Sequence, residues 1–417
     1  MSDQVVSAEN AEEKILLENL PTDVLLMIFL YCDEVSLGRL SQQCRRFNEI
    51  INEDCIWAER SRKAIVTNQL SKEMQERSFC ILPLREKCRI SSNWRKGRFK
   101  ENIYFSHKTR YMPWLVMNHD HLWLSKGNII LCYQRKSDGL RSNCAVQRLT
   151  GHQEDVCRFV EAEDMIFSGG RDGAICGWCS DSGEFILSQR DSHTSDINSV
   201  TYVKDVLVSG SRDKTIKFWR WQWSDRRCEL LRTIDVQDRV WSTSASSHGG
   251  LCAIGSSGYH QIPPLHIYDI EHGLEIMKFN EAYVSGAGIL DTLWESPHHL
   301  FSTGYDGYIR LWDTRTGWCV NTWEDPYDSP IYCLASDNVH TILCGTSHHG
   351  RVQLWDKRQQ HSLQMYFMSA NHSSPVYSLA FDACHLFVAL DQSINVMDFS
   401  GIRNTAVDMM PYLFRRK

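Results

Sequence analysis

Ser168-Gly169-Gly170-Arg171-Asp172-Gly173-Ala174-Ile175-Cys176-Gly177-Trp178 returns 41 residues later as Ser209-Gly210-Ser211-Arg212-Asp213-Lys214-Thr215-Ile216-Lys217-Phe218-Trp219, and again as Ser302-Thr303-Gly304-Tyr305-Asp306 running to Trp312-Asp313. Weaker copies end at Tyr133, Tyr268-Asp269, Trp355-Asp356 and Met397-Asp398, so successive intervals are 45, 41, 49, 44, 43 and 42 residues. Inside a copy, β-branched and aromatic runs such as 205–210 and 215–219 flank a turn of Gly, Ser and Asp, which reads as two antiparallel strands. Residues 197–202 supply a strand before them and 230–234 a strand after. A four-stranded repeat of this period is one blade of a β-propeller, a sheet that buries both faces only when its neighbours stack on it.

Seven repeat ends predict seven blades over residues 99–405. The last repeat has inner strands at 376–381, 386–390 and 393–399 and no fourth. Residues 99–106, with Ile103, Tyr104 and Phe105, lie just before the first blade and are expected to supply that outer strand, closing the ring and removing its exposed edges. Residues 406–417 are expected to form a tail.

Length and composition suit a two-part intracellular protein. The 417 residues exceed one ordinary core, although a propeller grows past that limit by adding blades. The chain has no apolar run of membrane-spanning length, and residues 1–14 are polar and acidic rather than signal-like, so no membrane association and a cytoplasmic or nuclear location are expected. Sixteen cysteines spread over this length, without a leader, read as reduced thiols packed as small hydrophobes. Asn371-His372-Ser373 is then an unused sequon. The formal charge of −6 argues against a nucleic-acid partner, because phosphate affinity needs a dense positive surface. The one basic stretch, 85–100, reads as a solvated linker.

Two repeats carry a full polar set: His152, Ser168, Asp172 and Trp178, then His193, Ser209, Asp213 and Trp219. Ser, His and Asp together suggest a hydrolase triad, but a nucleophile is needed once and this set appears twice at the blade spacing. Repetition points to scaffolding, in which a buried His bridges Asp and Ser while the indole N–H finds an acceptor. Ser302, Asp306 and Trp312 form a partial set without a His. Cys176-Gly177-Trp178-Cys179 has the spacing of a redox or zinc pair, yet it falls in a strand and no further ligands stand nearby. No catalytic residue, metal or cofactor is expected.

These repeats resemble WD-repeat propellers. Upstream the pattern becomes helical: Leu20-Pro21-Thr22-Asp23 is a helix start, Val24, Leu25, Ile28 and Phe29 follow on one face, and Leu37, Leu40, Cys44, Phe47 and Ile51 form a second stripe. Asp54 precedes Ile56-Trp57, a third helix. Three short helices make a core too small to be comfortable alone, which an apolar partner would remedy.

This stretch, 16–60, strongly resembles an F-box, with Cys32 standing where many members have Leu. The resemblance carried by Leu20, Pro21, Val24, Leu25, Ile28, Phe29, Leu37, Leu40, Cys44, Arg45 and Trp57 implies contacts to a Skp-type adaptor, which bridges to cullin and RING subunits. The plainer alternative is that the stripes pack the helices on one another. The chain as a whole thus resembles the F-box/WD-repeat receptors: a disordered segment 1–15, an F-box 16–60, a helical linker 61–98 and a seven-bladed, mainly β propeller. In that family such a chain is the non-catalytic receptor that presents a protein substrate for ubiquitination and proteasomal degradation; the alternative is a WD-repeat scaffold in a non-ligase complex. The linker has one glycine, Gly97, between Ser61 and Lys100, so it is expected to be stiff.

The substrate surface is expected at the channel mouth. Arg171 and Arg212 share one turn position in adjacent blades, and in phosphodegron-reading relatives arginines at that position bind phosphate, a ligand that suits a guanidinium fork. Tyr305 and His348 sit at or near the equivalent positions, and Trp241, Tyr332 and Tyr377 stand at inner-strand entrances. A mixed aromatic and basic pocket follows, either for a phosphorylated segment or with arginines that merely brace neighbouring turn aspartates.

Overall fold

The computed structural model describes residues 16–141, 144–259, 261–279, 283–368 and 374–401. The expected disordered segment 1–15, the tail 406–417 and the Asn371 sequon lie outside them. The chain forms two compact units: Met1–Ala64 with Leu82–Arg89, and Ile65–Ile81 with Ile90–Lys417.

The first unit holds α1 (Thr22–Tyr31), α2 (Glu34–Leu40), α3 (Arg45–Ile51) and α4 (Asp54–Arg62), after a 3-10 turn at Leu17–Asn19. The sequence stripe 37–51, read as one helix, is two. Helix α2 starts where Asp33 accepts the Ser36 N–H at 2.7 Å, and Cys44 in extended conformation accepts the Phe47 N–H at 3.4 Å to start α3 afresh. Leu25, Phe29, Leu37, Phe47, Ile50, Ile51, Ile56, Trp57 and Cys88 form the core, with Phe29 edge-on to Phe47 at 5.4 Å. The Arg60 guanidinium donates to the carbonyls of Leu30 at 2.9 Å and Cys32 at 2.8 Å, placing a cation at the C-terminal end of α1.

The second unit contains seven sheets among the described residues. Blade 1 runs Leu115–Met117, His121–Lys126, Ile129–Lys136 and Gln147–Thr150, with Gly139–Leu140 as an added strand. Blades 2 to 6 begin at Val156–Ala162, Ile197–Val203, Val240–Ala245, Ile289–Ser296 and Ile331–Ser336, each followed by three antiparallel strands. Blade 7 takes Val376–Phe381, His385–Leu390 and Ser393–Asp398 from the end of the chain and Lys100–Ser106 from before blade 1. The closing strand is therefore the one its apolar residues indicated. A Cβ on Gly169 would collide with Ile197, and one on Gly210 with Val240, so the turn glycines let each next blade approach.

The segment 65–95 is not a free linker. Ile65, Val66, Met74, Ile90 and Trp94 are buried in the propeller unit. Ser71 caps α5 (Lys72–Arg77) and also donates to the Asp337 carbonyl at 2.8 Å, and Arg77 donates to Ser336 at 2.6 Å with its guanidinium 4.2 Å from the Phe381 ring centre. Helix α6 (Leu84–Arg95) has its first half in the helical unit and its second half in the propeller unit. Its Trp94 stacks on Phe399 at 3.6 Å and donates to Ala383 at 3.1 Å. The basic stretch thus contains a deeply buried aromatic anchor, which its charge pattern concealed. No helix among the described residues is long and apolar enough to cross a membrane.

Candidate functional site

The propeller mouth is built by a repeated irregularity. In blades 2 to 7 the pairing of the first and second strands skips one residue directly after a buried β-branched one: Cys157 after Val156, Asn198 after Ile197, Trp241 after Val240, Leu290 after Ile289, Tyr332 after Ile331 and Tyr377 after Val376. A bulge re-aims its extra side chain. All six line one cavity of about 320 Å³, with Met112, Pro113 and Trp114 from the approach to blade 1.

Arg171, Arg212, Trp241, Tyr305, Tyr332 and Tyr377, six of the seven residues expected at the substrate surface, line this cavity. His348 does not. It lies exposed in a turn of blade 6, where Ser347 holds its ring by a 2.6 Å hydrogen bond. Tyr305, Tyr332 and Tyr377 form a row of edge-to-face contacts, 6.3 and 5.8 Å apart. Burial raises all three phenols above their ordinary values.

Arg158, Asp196, Cys157, Asn198 and Leu290 were not singled out from the sequence. Three of them occupy the same bulge position as Trp241, and the β-branched residue before each was the available signal. Arg158 crosses from blade 2 to blade 5, donating to Asp291 at 3.1 Å and to the Leu290 carbonyl at 2.7 Å, with Trp114 stacked at 4.0 Å. With Trp114 it also lines a second cavity, of about 290 Å³, that reaches Ser199, Thr243, Thr292 and Ser378 on the inner strands. Arg212 approaches Asp196 at 3.8 Å. The Arg171 fork leans on Met112 Sδ at 3.4 Å and on the Cys157 thiol.

The polar sets are connected as bonded chains. His152 contacts Ser168 Oγ at 2.7 Å and Asp172 at 3.0 Å; His193 contacts Ser209 Oγ at 2.8 Å and Asp213 at 2.9 Å. This is triad geometry, but both serines are fully buried, so no substrate reaches either oxygen. Burial outweighs the Asp213 charge and lowers His193, while burial of Asp213 is outweighed by Thr215 and His193, leaving its carboxyl at about 2. A neutral His193 then donates from Nδ1 to Asp213 and accepts at Nε2 from the Ser209 hydroxyl. The two blades differ at the indole: Trp219 donates to Ser209 at 2.9 Å, whereas Trp178 donates to the Thr150 carbonyl at 3.1 Å. In blade 5, Trp312 donates to Ser302 at 2.9 Å, Tyr283 replaces the missing His at 2.7 Å from Ser302, and Asp306 pairs with Arg310 at 2.7 Å. Cys176 and Cys179 stand three apart in one strand, on opposite faces, and burial pushes Cys176 up to about 12. Among the described residues no three His, Cys, Asp or Glu groups converge as a metal site.

In the helical unit, α1 reads Thr-Asp-Val-Leu-Leu-Met-Ile-Phe-Leu-Tyr and buries only Leu25 and Phe29. Val24, Met27, Ile28 and Tyr31 share another face and are exposed, Met27 by 63% and Tyr31 by 90%. Leu16, Leu17, Leu30 and Val35 in the same unit are exposed as well.

Over 388 residues the chain is 38% identical to F-box/WD repeat-containing protein 4 of Mus musculus, covering 92% of this chain and 93% of that protein. The chain belongs to the F-box/WD-repeat family. The Homo sapiens protein of the same name is 37% identical over 386 residues, 92% of each chain. The model for F-box-like sequences matches residues 17–63, and that for the WD domain, G-beta repeat, matches 184–220 and 285–313. Mitochondrial division protein 1 of Eremothecium gossypii is 25% identical over 211 residues, 48% of this chain and 25% of that protein.

An F-box joined to WD repeats is the arrangement of Skp–cullin–F-box-type substrate receptors in general, a family that is generally non-catalytic. The F-box implies a Skp-type adaptor and the propeller implies protein partners. Of the eleven F-box residues expected at the adaptor, Leu25, Phe29, Leu37 and Trp57 are core, since the small helical unit consumes them to hold itself together. Pro21, Val24, Ile28 and Arg45 are exposed, and Leu20, Leu40 and Cys44 are half-buried.

Proposed function

We propose that this chain is the substrate-recognition subunit of a Skp–cullin–F-box ubiquitin ligase, docking its adaptor through α1 and holding a protein substrate at the propeller mouth for ubiquitination and proteasomal degradation. The observation that carries this reading is α1 itself. A helix apolar around nearly its whole circumference belongs in an interior, yet this one buries only two side chains. Val24, Met27, Ile28 and Tyr31, with Pro21 and half-buried Leu20, Leu40 and Cys44, form the docking face. Leu25, Phe29, Leu37 and Trp57 support it from beneath. The adaptor would bring the cullin and RING subunits, and the receptor itself would act by raising the local concentration of a substrate lysine near a charged ubiquitin carrier.

Co-purification of the Skp-type adaptor with the intact chain tests this. Met27→Asp with Ile28→Asp should abolish adaptor capture while leaving the thermal unfolding of the chain in place, because neither side chain is core. Recovery of propeller partners with no cullin from cells would instead assign the chain to a scaffold.

A further inference from the structure

The mouth cavity has two unlike walls. Trp114, Trp241, Tyr305, Tyr332 and Tyr377 give it an aromatic side, while Arg158, Arg171 and Arg212 cluster in blades 2 and 3. The arginines are not equivalent. Arg158 is committed to Asp291 and to the Leu290 carbonyl, and Arg212 faces the Asp196 carboxylate, which itself lines the cavity. Nearby Arg110 is turned to Asp391 at 3.4 Å. Among the described residues no carboxylate pairs with Arg171; its fork rests on the sulfurs of Met112 and Cys157.

Three guanidiniums against two carboxylates leave one positive charge. A phosphate group carries roughly −1.5 to −2 charges and three acceptor oxygens, and is served by several converging donors. Here it would meet one open fork and the repulsion of Asp196. A carboxylate carries one charge and matches one fork bidentately. The volume, about 320 Å³, lies near the lower end for ligand pockets and suits a short peptide stretch rather than a long motif.

We infer that the propeller mouth recognises an unphosphorylated peptide segment in which a single carboxylate pairs with Arg171 and an adjacent bulky apolar side chain inserts among Trp241, Tyr332 and Tyr377. This rests on the reading of the mouth as the substrate site. The carboxylate has two sources, an acidic side chain within a chain or the terminus of one. Asp196 acts as the discriminating group, tolerating one negative charge opposite Arg171 and repelling two.

The test uses the full chain in complex with its adaptor and degenerate fluorescein-labelled nonapeptide pools. Each pool fixes Phe or Leu beside Glu, Gln or phosphoserine, and a further pair ends on Phe or Leu as a free acid or an amide. Fluorescence anisotropy should show the Glu pool, the free-acid pool or both binding at least tenfold tighter than the Gln or amide counterparts, and which pool responds names the source. Arg171→Gln should erase that advantage, and Asp196→Asn should improve binding of the phosphoserine pool several-fold. Phosphoserine favoured tenfold over Glu in the unaltered protein, or Glu binding like Gln together with free acid binding like amide, would overturn the single-carboxylate assignment and leave the mouth as the substrate site. Binding of every pool unchanged by Tyr332→Ala and Arg171→Gln would overturn both.

Discussion

Ser168 and Ser209 occupy the same place in adjacent blades yet hold different numbers of partners. Ser209 Oγ serves both His193 and the Trp219 indole, whereas among the described residues Ser168 Oγ serves His152 alone. Replacing a buried partner leaves its neighbours unsatisfied at about 1–3 kcal/mol per group. Ser209→Ala should therefore lower the urea midpoint more than Ser168→Ala, by the equivalent of about 1–2 kcal/mol; equal losses would mean the indole finds another acceptor. In the turn between the first two strands of blade 7, Asp382 gives a pH signature. Burial pushes its carboxyl up, but His385 and Arg135 outweigh it and hold it at about 2, while His385 stands above its ordinary 6.5 because Asp382 outweighs the burial that lowers it. The depressed carboxyl contributes about 2 kcal/mol that is present above its unfolded value near 4 and lost as pH falls toward 2. The raised imidazole contributes stability that is complete below 6.5 and lost as pH rises through its folded value. The urea stability of the unaltered chain minus that of His385→Asn should fall as pH rises above 6.5, a difference from which the opposite slope of the lowered His193 cancels. Sequence reading reached the His-Ser-Asp sets and most of the mouth because their residue types recur or stand out. It did not reach Arg158 and Asp291, whose pairing joins strands 133 positions apart and leaves no local trace.

At the scale of elements, periodicity located the blades because each strand's alternation is imposed by two stacked neighbours, and it located the closing strand because Phe105 has no local use for its apolar ring. Phe105 stacks on Tyr133 at 4.9 Å, and Tyr104 Oη accepts the Leu140 N–H at 3.0 Å, while Ile103 is half exposed. The register with Ser393–Asp398 slips between Ile103 and Phe105. Closure thus rests on Phe105 more than on Ile103. Full removal of a buried Phe costs about 3–5 kcal/mol, and this half-buried one should cost about 2. Phe105→Ala should lower the calorimetric unfolding temperature of the propeller by several degrees, with Ile103→Ala nearly silent; the reverse ranking would place the seam elsewhere. The helical elements were less legible. Leu37 to Ile51 keeps a regular apolar spacing straight through a helix break, because α2 and α3 present their stripes to one shared core and periodicity registers the core, not the interruption. The cap at Cys44 marks the break, and a cysteine as cap lies outside the usual Ser, Thr, Asp and Asn signals.

For the whole molecule, the sequence separates a helical part from a β part, and the least legible stretch is the one between them. Its charges and helical runs suggested a stiff solvated connector, but charge on a helix says nothing about its other face, and Trp94 there is fully buried against Phe399 and Tyr366. Asn93 donates to the Phe399 carbonyl at 2.8 Å and Tyr366 donates to the Trp94 carbonyl at 2.6 Å, so backbone and side chains on both sides are mutually satisfied. Further along the same unit, the Val66 N–H donates to Thr341 Oγ1 at 2.7 Å and Arg135 donates to the Arg77 carbonyl at 2.8 Å. The propeller therefore has its physical boundary near Ile65 rather than at its first strand. A chain beginning at Lys100 retains all seven sheets but exposes the surface that Ile65, Val66, Met74, Ile90 and Trp94 cover, and leaves Asp337 and Asp382 without Arg77 nearby. Each fully covered apolar side chain is worth about 1.5–3 kcal/mol, the scale of a marginal domain's whole stability when five are lost. The chain beginning at Ile65 should unfold cooperatively and the one beginning at Lys100 should aggregate or melt far lower, with Trp94→Ala in the intact chain losing about 3–5 kcal/mol by urea denaturation. Matching melting curves for the two truncations would show the ring to be self-sufficient and the segment 65–95 to be an ornament on it.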